Sequence, residues 1–278
     1  MNQFRHIANA HDQISQFSSK KHTGYSVEEL STVRTEAFKI QAFGRLIKRS
    51  GKKSSDEGQM VRTLGDNIKT SAKFIEDSIG ELLHHYEMSE HLKNKDRLEE
   101  AQLRFTLVKS DFEQHLAWIS KSLEVIENLD LRALYLKGLI KELKKLEEKC
   151  NEIDPKLLED GTHELRRTLR WVIMYIIYPT GLFKYKEKSP KTNEYTKLQT
   201  VKGMTPHKVS FTDVNFLSQA VHQLGQAKDE GLIENYSKTL SELNSSKPHI
   251  VELTKNILSV LKKDKVLSNL RSNLKEQV

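Results

Sequence analysis

A chain of 278 residues, 37% hydrophobic and 30% charged, can bury a full core and is too apolar to be disordered. Its 45 basic and 38 acidic residues leave a net charge of +7 and a pI near 9.2, an excess that favours an anionic partner only where it clusters. The single cysteine, Cys150, excludes an internal disulfide framework and a cysteine-based zinc site and fits a reducing compartment.

Twelve glycines and five prolines are few, which points to helices and away from a sandwich or barrel. The first predicted helix covers QFRHIANAHDQISQF, and the chain breaks at Lys20 to Gly24. Ser26 and Glu29 then have the spacing of a capping box, opening a helix that continues through LSTVRTEAFKIQAFGRLIKRS. SGKKSSDEG is a polar loop. Long helices follow over residues 58 to 92 and from Lys95 to about Asn128, the second carrying Phe105, Phe112 and Trp118. LRALYLKGLIKELKKLEEK is amphipathic, its charged half a solvated face.

Asp154-Pro155 marks the expected boundary, giving an N-terminal helical half over 1–154 and a C-terminal half over 155–278. The arginine-rich helix comes next, then a lysine-rich loop over 185–208, and helices resume at about Phe211, Glu234 and Lys247. The most apolar run, WVIMYIIYPTGLF (171–183), is too short for a bilayer, which needs roughly 20 residues, and Pro179 and Gly181 break it. It reads as the buried end of the arginine helix. The N-terminal MNQFRHIANAHDQ lacks the apolar core of a signal peptide, so the expected compartment is the cytoplasm.

THELRRTLRW (162–171) is the most informative stretch. Residues three and four apart on a helix are neighbours, so His163, Arg166, Arg167 and Arg170 form one basic stripe. Leu165, Leu169, Val172 and Ile176 fall on the opposite, core-facing side. Only Glu164 offers a compensating acid, off to the side. In the first half, Arg34, Gln41, Arg45 and Lys48 share a helix face, and the next helix carries KFIEDSIGELL with Lys73 and Asp77. The second half has QAVHQLGQAKDEGLI, with Lys228 and Asp229. Each half thus reads as a basic-faced helix followed by one with a lysine near an aspartate, a degenerate repeat.

HELRRTLR resembles the His-x-x-Arg-x-x-x-Arg start of the CHAD domain, the conserved histidine α-helical domain. LGQAKDEGLI resembles that family's Leu-Gly-x-x-Arg/Asn-Asp-x-x-Val segment. The order, spacing and duplication of the segments carry the resemblance, which would cover roughly residues 1 to 275. It implies an all-α fold of two antiparallel four-helix-bundle halves related by a degenerate internal repeat. It also implies a polyphosphate-binding module, with basic side chains from both halves lining a central groove, and association with polyphosphate granules. His163, Arg166 and Arg170 take the positions of the motif's histidine and first two basic residues. The chain departs from the motif in having Trp171 and Ile173 where further basic residues are usual. In the first half Ser31 stands in the histidine position before Arg34, and Lys39 is the match to the following basic cluster.

Chemically, arginine grips phosphate oxygens with a planar fork and stays charged. Histidine donates one hydrogen bond when neutral and two when protonated, so binding is expected to tighten as pH falls. Salt should weaken such binding through counterion release.

Other chemistries find less support. Glu81 and His84 form one Glu-x-x-His pair, but a di-iron bundle needs two. His84, His85 and His91 read as ordinary histidines, and His11-Asp12 lacks the remaining ligands of a phosphohydrolase. No phosphate-cradling glycine loop is present. No nucleophile with its base is recognisable, so the expectation is a non-enzymatic protein without metal or cofactor. Its rivals are a nucleic-acid-binding protein, which lacks interleaved aromatics on its basic helices, and a helical protein–protein scaffold that has lost the ligand.

Overall fold

The computed structural model describes residues 4–20, 25–92, 95–179, 182–186, 206–237 and 243–275. The fold is all-α, as expected, apart from one short pair of strands. Packing divides the chain into two units, Met1–Gly138 and Leu139–Val278. The division falls within a helix, whereas Asp154 and Pro155 lie in the turn that follows that helix.

Unit 1 contains α1 (Arg5–Ser19), α2 (Val27–Ser50), α3 (Asp56–Leu92), α4 (Lys95–Ile126) and the start of α5 (Leu131–Glu152). Ile7, Ala10, Ile14 and Phe17 recur at helical spacing along α1, and all four are buried. The capping signal before α2 is half realised. Glu29 N donates to Ser26 Oγ at 3.0 Å, but the Glu29 carboxylate pairs with the Lys20 ammonium instead of returning to the cap. Phe17, Tyr25, Phe105 and Phe112 form an aromatic cluster joining α1 and α4, with the Phe17 and Tyr25 centroids 4.7 Å apart. His11 Nε2 lies 3.2 Å from the Leu116 carbonyl, so this histidine ties the same two helices together.

A close backbone approach joins α2 and α3 at Gly44 and Gly65. A Cβ on Gly44 would sit 2.5 Å from Lys69 N, and one on Gly65 would sit 2.2 Å from Lys48 N. Only residues without a side chain permit this spacing. The contact fixes the register of an antiparallel hairpin, with Lys48 opposite Asp66 near the loop and Arg34 opposite Glu76 further along.

Unit 2 contains the rest of α5, a π-helical turn (Leu158–His163), α6 (Glu164–Ile177), β1 (Phe183–Tyr185), β2 (His207–Val209), α7 (Phe211–Ser237), α8 (Leu243–Lys263) and α9 (Val266–Lys275). Leu165, Leu169, Val172 and Ile176 are all buried, as the apolar stripe on α6 requires. The π turn runs directly into α6, and His163 is itself helical (φ −68°, ψ −43°) without a side-chain cap. Thr162 therefore does not cap α6. Its hydroxyl lies 2.7 Å from that of Thr254 on α8, in the core.

Three features differ from the sequence expectation. Parallel strands β1 and β2 flank the lysine-rich loop, with His207 N donating to the Leu182 carbonyl and Lys186 N to that of Val209. Short runs with Phe183 and Val209 buried read equally as helix ends or strands. Residues 187–205 of that loop lie outside the described residues. Helix α7 continues past Glu234, the expected start of a new helix. The last predicted helix is cut in two at Lys265, whose φ of 51° is left-handed. Glycine or asparagine usually signals such a stop, and neither is present.

Cys150 on α5 is buried. Burial pushes its thiol up to about 11, with Lys262 pulling it down and Glu147 pushing it further up. No helix among the described residues is long and apolar enough to cross a membrane.

Gly65→Ala should destabilise unit 1 by about 2 kcal/mol or more, the cost of forcing a methyl into packed backbone. Denaturant unfolding should show a lowered midpoint. An unchanged midpoint would mean that the α2–α3 approach is not tight.

Candidate anion-binding site

The sequence singled out ten cationic or histidine side chains, and the structure places them in very different surroundings. In unit 1, most face a carboxylate of their own unit. Arg34 Nε donates to Glu76 Oε1 at 2.7 Å, Lys39 to Glu36 at 2.6 Å, Lys48 to Asp66 at 2.6 Å and Lys73 to Asp77 at 2.7 Å. Arg45 is half-buried and also engaged. The Lys48 hydrogen bond is the main reason the Asp66 carboxyl is held below the usual range. Burial opposes that shift, and the charges of Lys48 and Lys69 reinforce it. Lys73 and Asp77 are both exposed, and such a pair adds little stability.

In unit 2, Glu164 does more than its place in the sequence suggested. Its carboxylate accepts from Lys149 on α5 and, at 2.6 Å, from Arg167. Burial alone would raise this carboxyl. The hydrogen bonds and charges of Lys149 and Arg167 outweigh that effect and hold it low. Arg167 is thus turned toward Glu164. His163 is half-buried and Arg170 exposed, and both are engaged. Lys228 lies half-buried on α7, while the side chain of Asp229 falls outside the described residues.

Arg166 is the exception. Its Nε is buried and has no hydrogen-bond partner among the described residues. Its guanidinium lies against Gly225 of α7, where an added Cβ would meet Nη2 at 3.1 Å and Nε at 3.2 Å. The same arrangement occurs in unit 1. An added Cβ on Gly80 of α3 would meet the Arg34 guanidinium at 3.3 Å. In each unit, then, an arginine from a basic-faced helix lies on a glycine of the helix that pairs with it.

The two seats differ in what completes them. Four residues before Gly80 stands Glu76, whose side chain is only 7% exposed and holds Arg34. Four residues before Gly225 stands Val221, which carries no charge. Four residues after Arg34, the ring of Phe38 lies 5.7 Å beneath its guanidinium, an attractive cation–π placement. Four residues after Arg166 comes a second cation, Arg170.

The lysine–aspartate comparison of the two halves missed this pairing. The glycines were the available signal, within SIGELL and QLGQAK. A helix-interior glycine costs ~1 kcal/mol relative to alanine, so its presence calls for a close approach.

One further pair escaped the sequence. His115 Nδ1 lies 3.1 Å from the Ser71 hydroxyl, with His115 stacked on Phe74 at 4.3 Å and Trp118 edge-on to it. Burial pushes the His115 imidazole below its ordinary range, against the pull of Asp111. Ser71 is 2% exposed, and it lines a shallow recess of α3 and α4 together with His115 and Trp118. Among the described residues, no three His, Cys, Asp or Glu side chains converge to hold a metal ion.

Compared with known proteins, the chain matches no family model, no curated protein and no solved structure.

Because its folded pKa is depressed, Glu164 contributes stability above its unfolded pKa, and that stability is lost as pH falls through the folded value. Glu164→Gln should therefore lower stability near neutrality by about 0.5–1 kcal/mol, given partial solvent screening. It should also flatten the acid limb of the stability–pH curve below the usual glutamate range. Parallel curves for the two proteins would show that the Lys149–Glu164–Arg167 contact is energetically idle.

Proposed function

We propose that this protein is a non-catalytic binder of inorganic polyphosphate or a similar polyanion, and that unit 2 holds the anion at Arg166. The observation that carries this reading is the buried Nε of Arg166, which has no hydrogen-bond partner among the described residues. A buried donor without an acceptor costs about 1–3 kcal/mol, and a phosphate oxygen would remove that cost once the side chain turns its Nε toward the ligand. Gly225 supports the reading, because it lets the planar fork lie against α7 with its outer edge available. Arg170 lies one turn further along α6 and His163 in the π turn just before it, so a linear chain of phosphates would meet donors beyond a single group. The likeness of HELRRTLR and LGQAKDEGLI to the CHAD domain points the same way. Its glycine, Gly225, is the residue on which Arg166 rests.

Within unit 1 the resemblance carries less weight, since Arg34, Lys39, Lys48 and Lys73 are matched by acids of the same unit. The role that fits is tethering or positioning on a polyanion, not processing it.

A second reading, a helical scaffold that docks a protein, is favoured by one observation. Leu103, Leu107, Trp118 and Val125 of α4 are all exposed, Leu107 by 74%. Their spacing aligns them along one side of the helix, and large exposed apolar side chains in a row mark interaction surfaces.

Titration with long-chain polyphosphate over a salt series decides between the readings. The wild type should bind with log K falling linearly in log salt. Arg166→Ala/Arg170→Ala should weaken binding about ten- to hundredfold, the worth of one charge-assisted hydrogen bond of about 1.5–3 kcal/mol, and should reduce the salt slope. Absence of binding at low salt would return Arg166 to a structural role and leave the α4 face as the functional surface. Equal binding of RNA at matched charge and salt would show a general polyanion site.

A further inference from the structure

Unit 1 repeats the arginine-on-glycine seat of unit 2 with one decisive change, and this inference rests on reading Arg166 as an anion seat. We infer that unit 1 carries a second phosphate-binding seat, built on Arg34 and Gly80, that Glu76 keeps closed by occupying the anion's place.

The geometry argues this directly. Both guanidiniums lie so near a helical glycine that an added Cβ would meet them at 3.3 Å on Gly80 and 3.1 Å on Gly225. In both, Nε is the donor that needs an acceptor. In unit 1 a carboxylate oxygen meets it at 2.7 Å, the length of a charge-assisted hydrogen bond. In unit 2 nothing among the described residues meets it. The carboxylate comes from the position four residues before the glycine, where unit 2 has Val221. A carboxylate and a phosphate group offer the same feature to an arginine, anionic oxygens in a plane that matches its fork. Glu76 is therefore an internal ligand, tethered at high effective concentration and only 7% exposed. A free anion cannot displace it without burying a second negative charge beside it, which is costly.

Glu76 thus determines specificity. With it, the chain has one open seat and binds its anion through unit 2. Without it, Arg34 is left as Arg166 is, and unit 1 accepts a single phosphate group. The reopened seat binds more weakly than unit 2, because Phe38 stands where unit 2 has Arg170.

The test is calorimetric titration of the full chain at low salt with tripolyphosphate, comparing wild type, Arg166→Ala, Arg166→Ala/Glu76→Val, and that variant with Arg34→Ala added. Glu76→Gln serves in place of Glu76→Val if thermal unfolding shows that the valine form does not fold. The expected result is that Arg166→Ala weakens binding about tenfold or more and that removing Glu76 strengthens it again at least tenfold. Adding Arg34→Ala should then remove that gain. If Arg166→Ala weakens binding and removing Glu76 restores nothing, the second seat is overturned while the Arg166 seat stands. If the wild type itself does not bind, the Arg166 reading fails and the second seat fails with it.

Discussion

Two helices can approach until their backbones touch only where neither carries a Cβ, and unit 1 is organised around that condition at Gly44 and Gly65. With α2 and α3 locked there, the hairpin register has no freedom to slide. A shift by one residue would drive a side chain into the Lys48 or Lys69 backbone. The locked register then decides which charges meet. Lys48 comes to Asp66 beside the lock, and fourteen residues back along α2, ~21 Å at helical rise, Arg34 comes to Glu76 and Gly80. Arg34 and Lys48 are thus neutralised as a consequence of a packing constraint that involves no charge.

Net charge is a poor guide to where an anion would sit, because much of it cancels locally. The lysines and arginine of α2 and α3 look like a basic face in sequence, yet Arg34 and Lys48 find their carboxylates across the hairpin, while Lys39 and Lys73 find theirs one turn away on the same helix. Arg167, at the centre of THELRRTLRW, is turned toward Glu164. Arg166, its immediate neighbour, is set apart by a few ångströms of geometry, a guanidinium lying on bare backbone with its Nε turned inward. The feature that distinguishes them is burial without a partner, a property of three-dimensional surroundings and not of residue type.

The helical architecture was legible because periodicity and capping are local. Ser26 caps α2 and the apolar stripe of α6 is buried, as spacing alone requires. The helix ends that misled were those set by tertiary structure. Lys265 adopts a left-handed conformation without the glycine that advertises one, and β1 finds its partner β2 across a long loop. Likewise the basic residues could be listed from sequence, but their carboxylates are 42 residues away for Arg34 and 18 for Lys48. Pairings at that range depend on register, and register depends on glycines whose role emerges only when the facing helix is in view.

Cys150 has a consequence for following this molecule in solution. With its thiol pushed to about 11, only about one molecule in ten thousand carries the reactive thiolate at neutral pH, and the sulfur is buried as well. It lies on α5 in the stretch that Arg271 of α9 pins through Glu147. A thiol-specific dye can therefore attach only when unit 2 opens locally. Since this is the chain's sole cysteine, the labelling rate is a clock that ticks for unit 2 and is silent about unit 1. Any anion that tightens unit 2 around its arginine helix would slow that clock, and would do so without a single engineered probe.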